Sequence, residues 1–582
     1  MTELLRNFTS FCKQTYAGLK QIKALSFSSL RKVFSLLEKT EKIAMGLLAA
    51  VAILALAVSF RNFYLSHSVL VPANGGVYTE GFIGQPTYIN PLLAHQDPDL
   101  SLTTLVFSGL YKYDSQGKLI PDLADGMPVI SADQKQYTIR LKRNVKWQNG
   151  RPLTADDVVF TIQALQNPSF KSPYSAMWQS TTVEKLDDYT VRFTTRDVSG
   201  PFLQNLTQPV LSKFIWSRVD PQNILLSNNN LKAIGSGPYA IKEIKKLASG
   251  KVDQITFTAN NDYYLGRPKI NTVIVKFYDT DNDVLHALQS GEIDGYGFTA
   301  LGSNLYLDKD QSGLQLLALP LPQYQVAFFN LNNKILADDS VRQALNLAVD
   351  RTKIIGDVLK NQAILPTSPL LAGQAGAKPL AAAPNPAQAA ALLDSAGWKV
   401  NPKTNLRAKK NQTLELRLVT NDSLADSDVA QALADQWQSL NLKIDLTIVP
   451  TDQITDSVIR PRNFDILLFP QKFNADPDPF AFWHSSQVKD PGFNLTGFAD
   501  PNVDKLIDQA RTTTDQQARA QLYSQFDQIL QNKVPDILLD QYVYTYALPS
   551  DIKNITLNKL YDPSQRFYDI GNWYISEKRV LK

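Results

Sequence analysis

A chain of 582 residues is too long for one small core and should divide into roughly two to four folding units. With 44% hydrophobic and 20% charged residues it is an ordinary globular protein, neither disordered nor multi-spanning. The net charge of +4 sits at the start: residues 1–42 sum to +5 and the rest to −1, so the body lacks the basic bias of a nucleic-acid binder. The single cysteine, Cys12, excludes an internal disulfide and a cysteine-based zinc site.

Residues 1–42 open with Leu4, Phe8, Phe11, Thr15, Leu19 and Ile22 stepping by three or four between Arg6, Lys13, Lys20 and Lys23. That pattern suits either a helix lying on the inner leaflet or a loosely ordered tail. Ile43–Phe60 (IAMGLLAAVAILALAVSF) is eighteen residues without a charge. As a helix it spans about 27 Å, close to the hydrocarbon core of a bilayer. Arg31, Lys32, Lys39 and Lys42 precede it, while only Arg61 follows closely, so the positive-inside rule places residues 1–42 in the cytoplasm and the remainder outside. The long leading region and the absence of a small-x-small site in SFRNFYLSHS favour an uncleaved signal anchor. No cysteine follows the apolar run, which excludes a lipoprotein anchor. Residues 61–73 read as a short tether.

From Gly75 the pattern is mixed α/β. Tyr137–Leu141 alternates as a strand and Asn149-Gly150 marks a turn. Thr154 is an N-cap with Asp157 at the third helical position, opening a helix over VVFTIQAL. Val191–Thr194, Ile255–Thr258, Val326–Phe329, Leu414–Val419 and Ile444–Val449 read as strands. Val284–Leu288, Val341–Val349, Val429–Leu440, Val503–Arg511 and Ala518–Gln531 read as helices, with another around Leu392 after a loose Ala/Pro stretch, Ala372–Ala387.

The motifs of catalysis and metal binding are absent. His67, His95, His286 and His484 have no ligand spacing, and there is no P-loop, GxGxxG or GxSxG. Asp279, Asp281 and Asp283 begin like a calcium loop, but Val284 stands where the turn glycine belongs, so the triplet reads as helix-capping. Asp476 and Asp478 each precede a proline and read as a rigid turn. No cofactor and no enzymatic activity are expected.

Several segments in order resemble the extracytoplasmic solute-binding proteins of the peptide/nickel class, family 5, which serve ABC importers. They are Phe107–Tyr113 through Pro121-Asp122-Leu123-Ala124 with Trp147–Gly150 and Leu153–Phe160; Gly235-Ser236-Gly237-Pro238-Tyr239 with Asn261–Tyr264 and Gly266-Arg267-Pro268; Leu288–Asp294; Phe329-Asn330 with Val341–Leu345 and Ala348–Arg351; Ala396-Gly397-Trp398; and Asn494–Asp504. The resemblance implies an α/β, periplasmic-binding-protein-like (type II) fold of two lobes with an extra subdomain, carried here on one N-terminal transmembrane helix. The first lobe would comprise residues 74–112, 230–318 and 546–582, the extra subdomain 113–229, and the second lobe 325–545, with Leu319-Pro320-Leu321-Pro322 at a crossover.

By the same resemblance the chain captures peptides or similar small solutes between its lobes and delivers them to an ABC permease and its ATPase, as a monomer held in the cell membrane through residues 43–60. The alternative is a surface peptide scavenger or chaperone that works without a transporter. Peptide-binding relatives hold the ligand's amine with an aspartate three residues before an Asp-Pro or Glu-Pro pair. Phe473 stands at that position before Asp476-Pro477, so the carboxylate is missing unless a shifted alignment brings in Asp476 or Asp478. The implied ligand-binding residues are Tyr88, Asn90, Tyr296, Phe298, Phe473, Asn474, Asp476, Phe480, Trp483 and Asn494. Trp147 and Trp398 are assigned to the core, and Arg342 to a structural ion pair.

Overall fold

The structure, a computed structural model, describes residues 38–299, 313–368 and 383–581. The chain forms two compact units: Ala73–Ser576, and the segments on either side of it. In the smaller unit, helix α1 (Lys39–Ser66) exceeds the eighteen-residue apolar run at both ends. Its start is closed by a capping box in which the Glu38 and Glu41 side chains each accept from the other's backbone region. It is the one helix among the described residues long and apolar enough to cross a membrane, and none of its residues is buried. The segment 61–73, read as a tether, carries regular structure. It is helical to Ser66, and strand β1 (Ser68–Pro72) then pairs antiparallel with Glu577–Leu581. The amphipathic reading of Leu4–Ile22 lies outside the described residues.

The larger unit is organised by one long mixed sheet. Its strands are β2 (Val77–Ile83), β3 (Tyr239–Lys246), β4 (Val252–Ala259), β5 (Thr272–Tyr278), β6 (Gly295–Thr299), β7 (Leu314–Phe329), β8 (Glu415–Asn421), β9 (Lys443–Val449), β10 (Ile466–Lys472) and β11 (Asp536–Pro549). They lie in the order β9-β8-β10-β7-β11-β6-β2-β5-β4-β3, and Ala363–Ile364 adds on β11. β2 pairs parallel with β5 and β6, and β8 parallel with β9 and β10; the central β7–β11 pair is antiparallel. This is the expected α/β class. A separate four-stranded antiparallel sheet, Val129–Ile130, Gln136–Arg140, Thr190–Thr195 and Thr181–Asp187, lies in the stretch between β2 and β3.

β7 is sixteen residues long and contains Pro320 and Pro322. Proline cannot donate to a β-ladder, and it is tolerated where pairing is interrupted. The β7–β11 register runs to Pro320↔Val543 and resumes only at Tyr324↔Gln541, so the prolines fall at the skip. Four hydrophobic cores line this sheet among the described residues, the smallest joining Tyr296, Phe298 and Ala547 to Val284 and Leu288. One joins Tyr78 and Phe82 to Phe257, Val275, Tyr546 and Trp573. Two others, lying on either face of β7 and β10, are built around Phe329, Leu418 and Trp437 and around Val326, Leu467 and Phe526. Side-chain alternation explains that split: Ile466 and Leu468 enter one core, Leu467 and Phe473 the other.

The helices begin where short polar side chains can cap them. α2 (Ala155–Gln166) has the expected Thr154/Asp157 capping box. α3 (Asp281–Gln289) is capped by Thr280, with Asp281 and Asp283 in its first turn, while Asp279, the first of the acidic triplet, pairs with Lys251 at 2.8 Å. α4 (Asp339–Ala348) is capped by Asp338. The second half also holds Pro386–Ser395, the helix expected around Leu392, with α5 (Leu424–Gln438), α6 (Pro501–Arg511) and α7 (Gln516–Lys533). Arg342 is buried, paired with Asp339 at 2.5 Å and donating to Leu336 O and Lys533 O, which is the structural role expected of it. Trp147 and Trp398 are buried as expected.

Candidate functional site

A cleft of about 340 Å³ opens in the unit Ala73–Ser576. One wall comes from Phe107–Tyr113, the segment that follows the helix Asp97–Val106. Its position depends on the Gly235-Ser236-Gly237 motif. Gly237 N donates to Val106 O at 2.7 Å, and a Cβ at Gly235 would stand 1.9 Å from that same oxygen. Only glycine lets the two backbones approach so closely. A second wall is the Tyr561–Tyr568 segment, a third comes from Tyr174 and Gln204, and the end of β10 supplies Lys472, Asn474 and Ala475.

Aromatic faces dominate this lining. Tyr113 and Tyr561 have ring centroids 4.9 Å apart, and Tyr561 OH donates to Gly117 O at 3.1 Å. Tyr174 OH donates to Ala94 O. Tyr263 packs beside Tyr264, whose hydroxyl donates to Asp122 Oδ1 at 2.8 Å. Burial pushes the Tyr113, Tyr263 and Tyr568 hydroxyls up, so all remain neutral donors at ordinary pH. Asp122 also pairs with Lys112 at 3.4 Å.

A second charged pair in the cleft is Lys472 with Asp562, 2.8 Å apart. Asp562 also accepts from Ser564 N and Oγ, at 3.0 and 2.7 Å, as the cap of a short helical turn. Burial pushes its carboxyl up, but Lys472 and Ser564 outweigh this and hold it below the usual carboxylate range. Asn474, by contrast, is exposed and makes no side-chain hydrogen bond among the described residues, so both its amide groups are available.

The ten residues named from sequence do not form one surface. Asn474 lines the cleft. Phe473, its neighbour, points the other way. It packs against Tyr324 (5.9 Å) and Phe482 (5.3 Å) and lines a second pocket with Trp483. Tyr296 and Phe298 stack at 5.2 Å and line a third cavity with Arg566, and Tyr296 OH donates to Asp281 Oδ1 at 2.7 Å. Tyr88 packs on the first core. Asn90 is fully buried, its Nδ2 donating to Asn230 Oδ1 and its Oδ1 accepting from Leu92 N, both at 2.9 Å. Asn494 is likewise buried, shaping the turn to Phe498 through Thr496 and Gly497. Phe480 stacks on His484 beneath Arg511.

Asp476 and Asp478, the alternative amine anchors, are both engaged. The Arg519 guanidinium holds both Asp476 oxygens, and Arg511 Nε lies 3.0 Å from Asp478 Oδ2. Sequence reasoning missed Tyr113, Gln204, Lys472, Tyr561, Asp562 and Tyr568. Of these, Tyr113 ends the family-like segment Phe107–Tyr113, and Asp562 carried a local signal as Asp-Pro-Ser at the start of a turn.

A long mixed sheet with separate cores and a polar, aromatic cleft defines a binding protein of the extracytoplasmic solute-receptor class. The family model described as "Bacterial extracellular solute-binding proteins, family 5 Middle" matches residues 118–493, and the chain belongs to that family. The oligopeptide-binding protein AppA of Bacillus subtilis (strain 168) is 27% identical over 561 residues, 93% of this chain and 100% of that protein. The structure of B. subtilis AppA in complex with a nonapeptide superposes with a TM-score of 0.64 at 26% identity, covering 87% of this chain and 100% of that one. NikZ from Campylobacter jejuni in complex with Ni(L-His) gives a TM-score of 0.67 at 27% identity, covering 86% and 99%.

Proposed function

We propose that this chain is a membrane-anchored extracytoplasmic receptor that captures peptides in the cleft at Lys472, Asn474 and Asp562 and passes them to an ABC permease. The observation that carries this reading is end-to-end similarity to AppA, crystallised with a nonapeptide, together with a cleft whose lining suits an extended peptide. Aromatic faces accept varied side chains, while Asn474, the tyrosine hydroxyls and exposed backbone at the end of β10 pair with main-chain groups.

We read the lobes as the sequence suggests: 74–112 with 230–318 and 546–582 as the first, 113–229 as the extra subdomain, and 325–545 as the second. One core takes in residues of the first lobe and of 113–229 together, and two others belong to the second half, which supports the split between the halves, with β7 and β11 as the strands common to both. Ligand contacts made by both lobes favour the closed form and so drive capture. Helix α1, about 42 Å long at 1.5 Å per residue, anchors the receptor with residues 1–42 in the cytoplasm. An anchored receptor meets its permease at a raised effective concentration. Titrating the full chain in detergent with a library of nonapeptides tests the reading: saturable binding is expected, and its absence with every peptide would overturn the peptide assignment.

A further inference from the structure

The second pocket stands apart from the cleft. Successive side chains of a strand point to opposite faces. Lys472 and Asn474 line the cleft, whereas Gln471 and Phe473 line a pocket of about 240 Å³ between the sheet and α7. A single water needs only about 10–15 Å³ of such space, so the pocket has room for a small molecule.

Its polar lining is under-satisfied. Asp536 opens β11 and is buried, yet its Oδ2 has no hydrogen-bond partner among the described residues. The same holds for Asp527 Oδ2 on α7 and for Gln471 Nε2 on β10, a residue only 5% exposed. All three residues line the pocket. Unpaired polar atoms in a protein interior cost about 1–3 kcal/mol each, so such groups call for a partner. The one guanidinium present, Arg351, already donates to Leu538 O and Asn346 Oδ1, both at 2.7 Å. Two carboxylates therefore face one largely engaged cation. The apolar walls are Phe473, Trp483 and Phe526, whose ring faces attract positive charge. Exposed Gln531 and half-buried Asn346 form its solvent side.

We propose that this pocket is a second ligand site, taking a small organic cation whose primary ammonium group sits between Asp527 and Asp536 and whose oxygen acceptor faces Gln471. It lies on the opposite face of β10 from the cleft and does not rest on the peptide reading. Burial pushes Asp536 up to about 7 and Asp527 up to about 6, and both are largely ionised at pH 8.

Calorimetric titration of the full chain in detergent at pH 8 tests this, with 4-amino-1-butanol as probe and 1,4-butanediol as its neutral counterpart. Saturable binding of the amine is expected, at least tenfold tighter than the diol. Asp536→Asn and Asp527→Asn, which keep shape and remove charge, should each weaken it tenfold or more, and Gln471→Leu severalfold. Asp527 is only half-buried, so its variant remains informative if the Asp536 variant does not fold. The proposal is overturned by no saturable amine binding, by equal binding of the diol, or by wild-type affinity in the folded aspartate variants.

Discussion

Lys472 Nζ lies 2.8 Å from Asp562 Oδ2, tying the end of β10 to the C-terminal segment across the cleft. The two residues belong to the halves proposed to move on capture, so the pair acts as a latch on the closed form. Lys472 is half exposed, which limits its worth to about 0.2–1 kcal/mol. Lys472→Gln should weaken peptide binding by up to about fivefold at low salt. At high salt the difference should vanish, since screening removes the pair's contribution in the native chain and the variant has none. Affinities measured at both ionic strengths check this.

Glu80 and Arg566 form a different kind of pair. Arg566 Nε donates to Glu80 Oε1 at 2.7 Å with both side chains buried, and Tyr78 and Tyr546 donate to Glu80 Oε2 at 2.8 and 2.6 Å. This network pins the turn that carries Asp562 onto β2. Arg566→Ala leaves a carboxylate buried and unpaired, and should cost about 3–5 kcal/mol in urea unfolding. Replacing both residues by methionine should cost less than either alanine substitution, because no charge is left stranded.

Asn474 is an exposed amide on the cleft wall, next in sequence to Phe473 at the family's amine-anchor position. Asn474→Asp should raise affinity for peptides with a free N-terminus relative to their N-acetylated forms. Phe473→Asp should instead destabilise the protein by several kcal/mol, because it buries a charge among Tyr324, Phe482 and Trp483. Paired binding and unfolding measurements separate the two outcomes.

That contrast shows where the sequence stopped being legible. Local signals read well: the Thr154–Asp157 box and the Tyr137–Leu141 alternation both reappear as elements. The family resemblance reached the α/β class. The site was harder, because one residue along a strand turns a side chain to the other face. Phe473 and Asn474 are adjacent in sequence yet serve different cavities. Lys472 and Asp562 are 90 positions apart, one at the end of a strand and the other capping a short helical turn, and only the tertiary fold brings them together. The prolines of β7 hid a sixteen-residue strand because their missing donors fall at a skip in the ladder, which no local pattern announces.

Asp540 gives the fold a pH dependence. It is buried on β11 with neither carboxyl oxygen hydrogen-bonded among the described residues, and burial, with Asp426 nearby, pushes it up to about 8. Asp536 is pushed up to about 7, chiefly by burial. A carboxyl whose folded value is raised keeps its proton in the native state after the unfolded chain, near 3.9, has lost it. The native state then binds more protons than the unfolded one, so these groups make stability fall as pH rises from about 4 to about 8. Asp540→Asn should flatten this slope and stabilise the protein at pH 8, as read from urea midpoints across that range.

The central claim is peptide capture in the cleft at Asn474. The most direct measurement is titration of the full chain and of Asn474→Trp, which fills the cleft, with the same nonapeptide library. Saturable binding by the native chain, lost at least tenfold in a variant that unfolds at the native temperature, is the predicted result. Absence of binding by the native chain, or equal binding by the filled variant, would contradict the account.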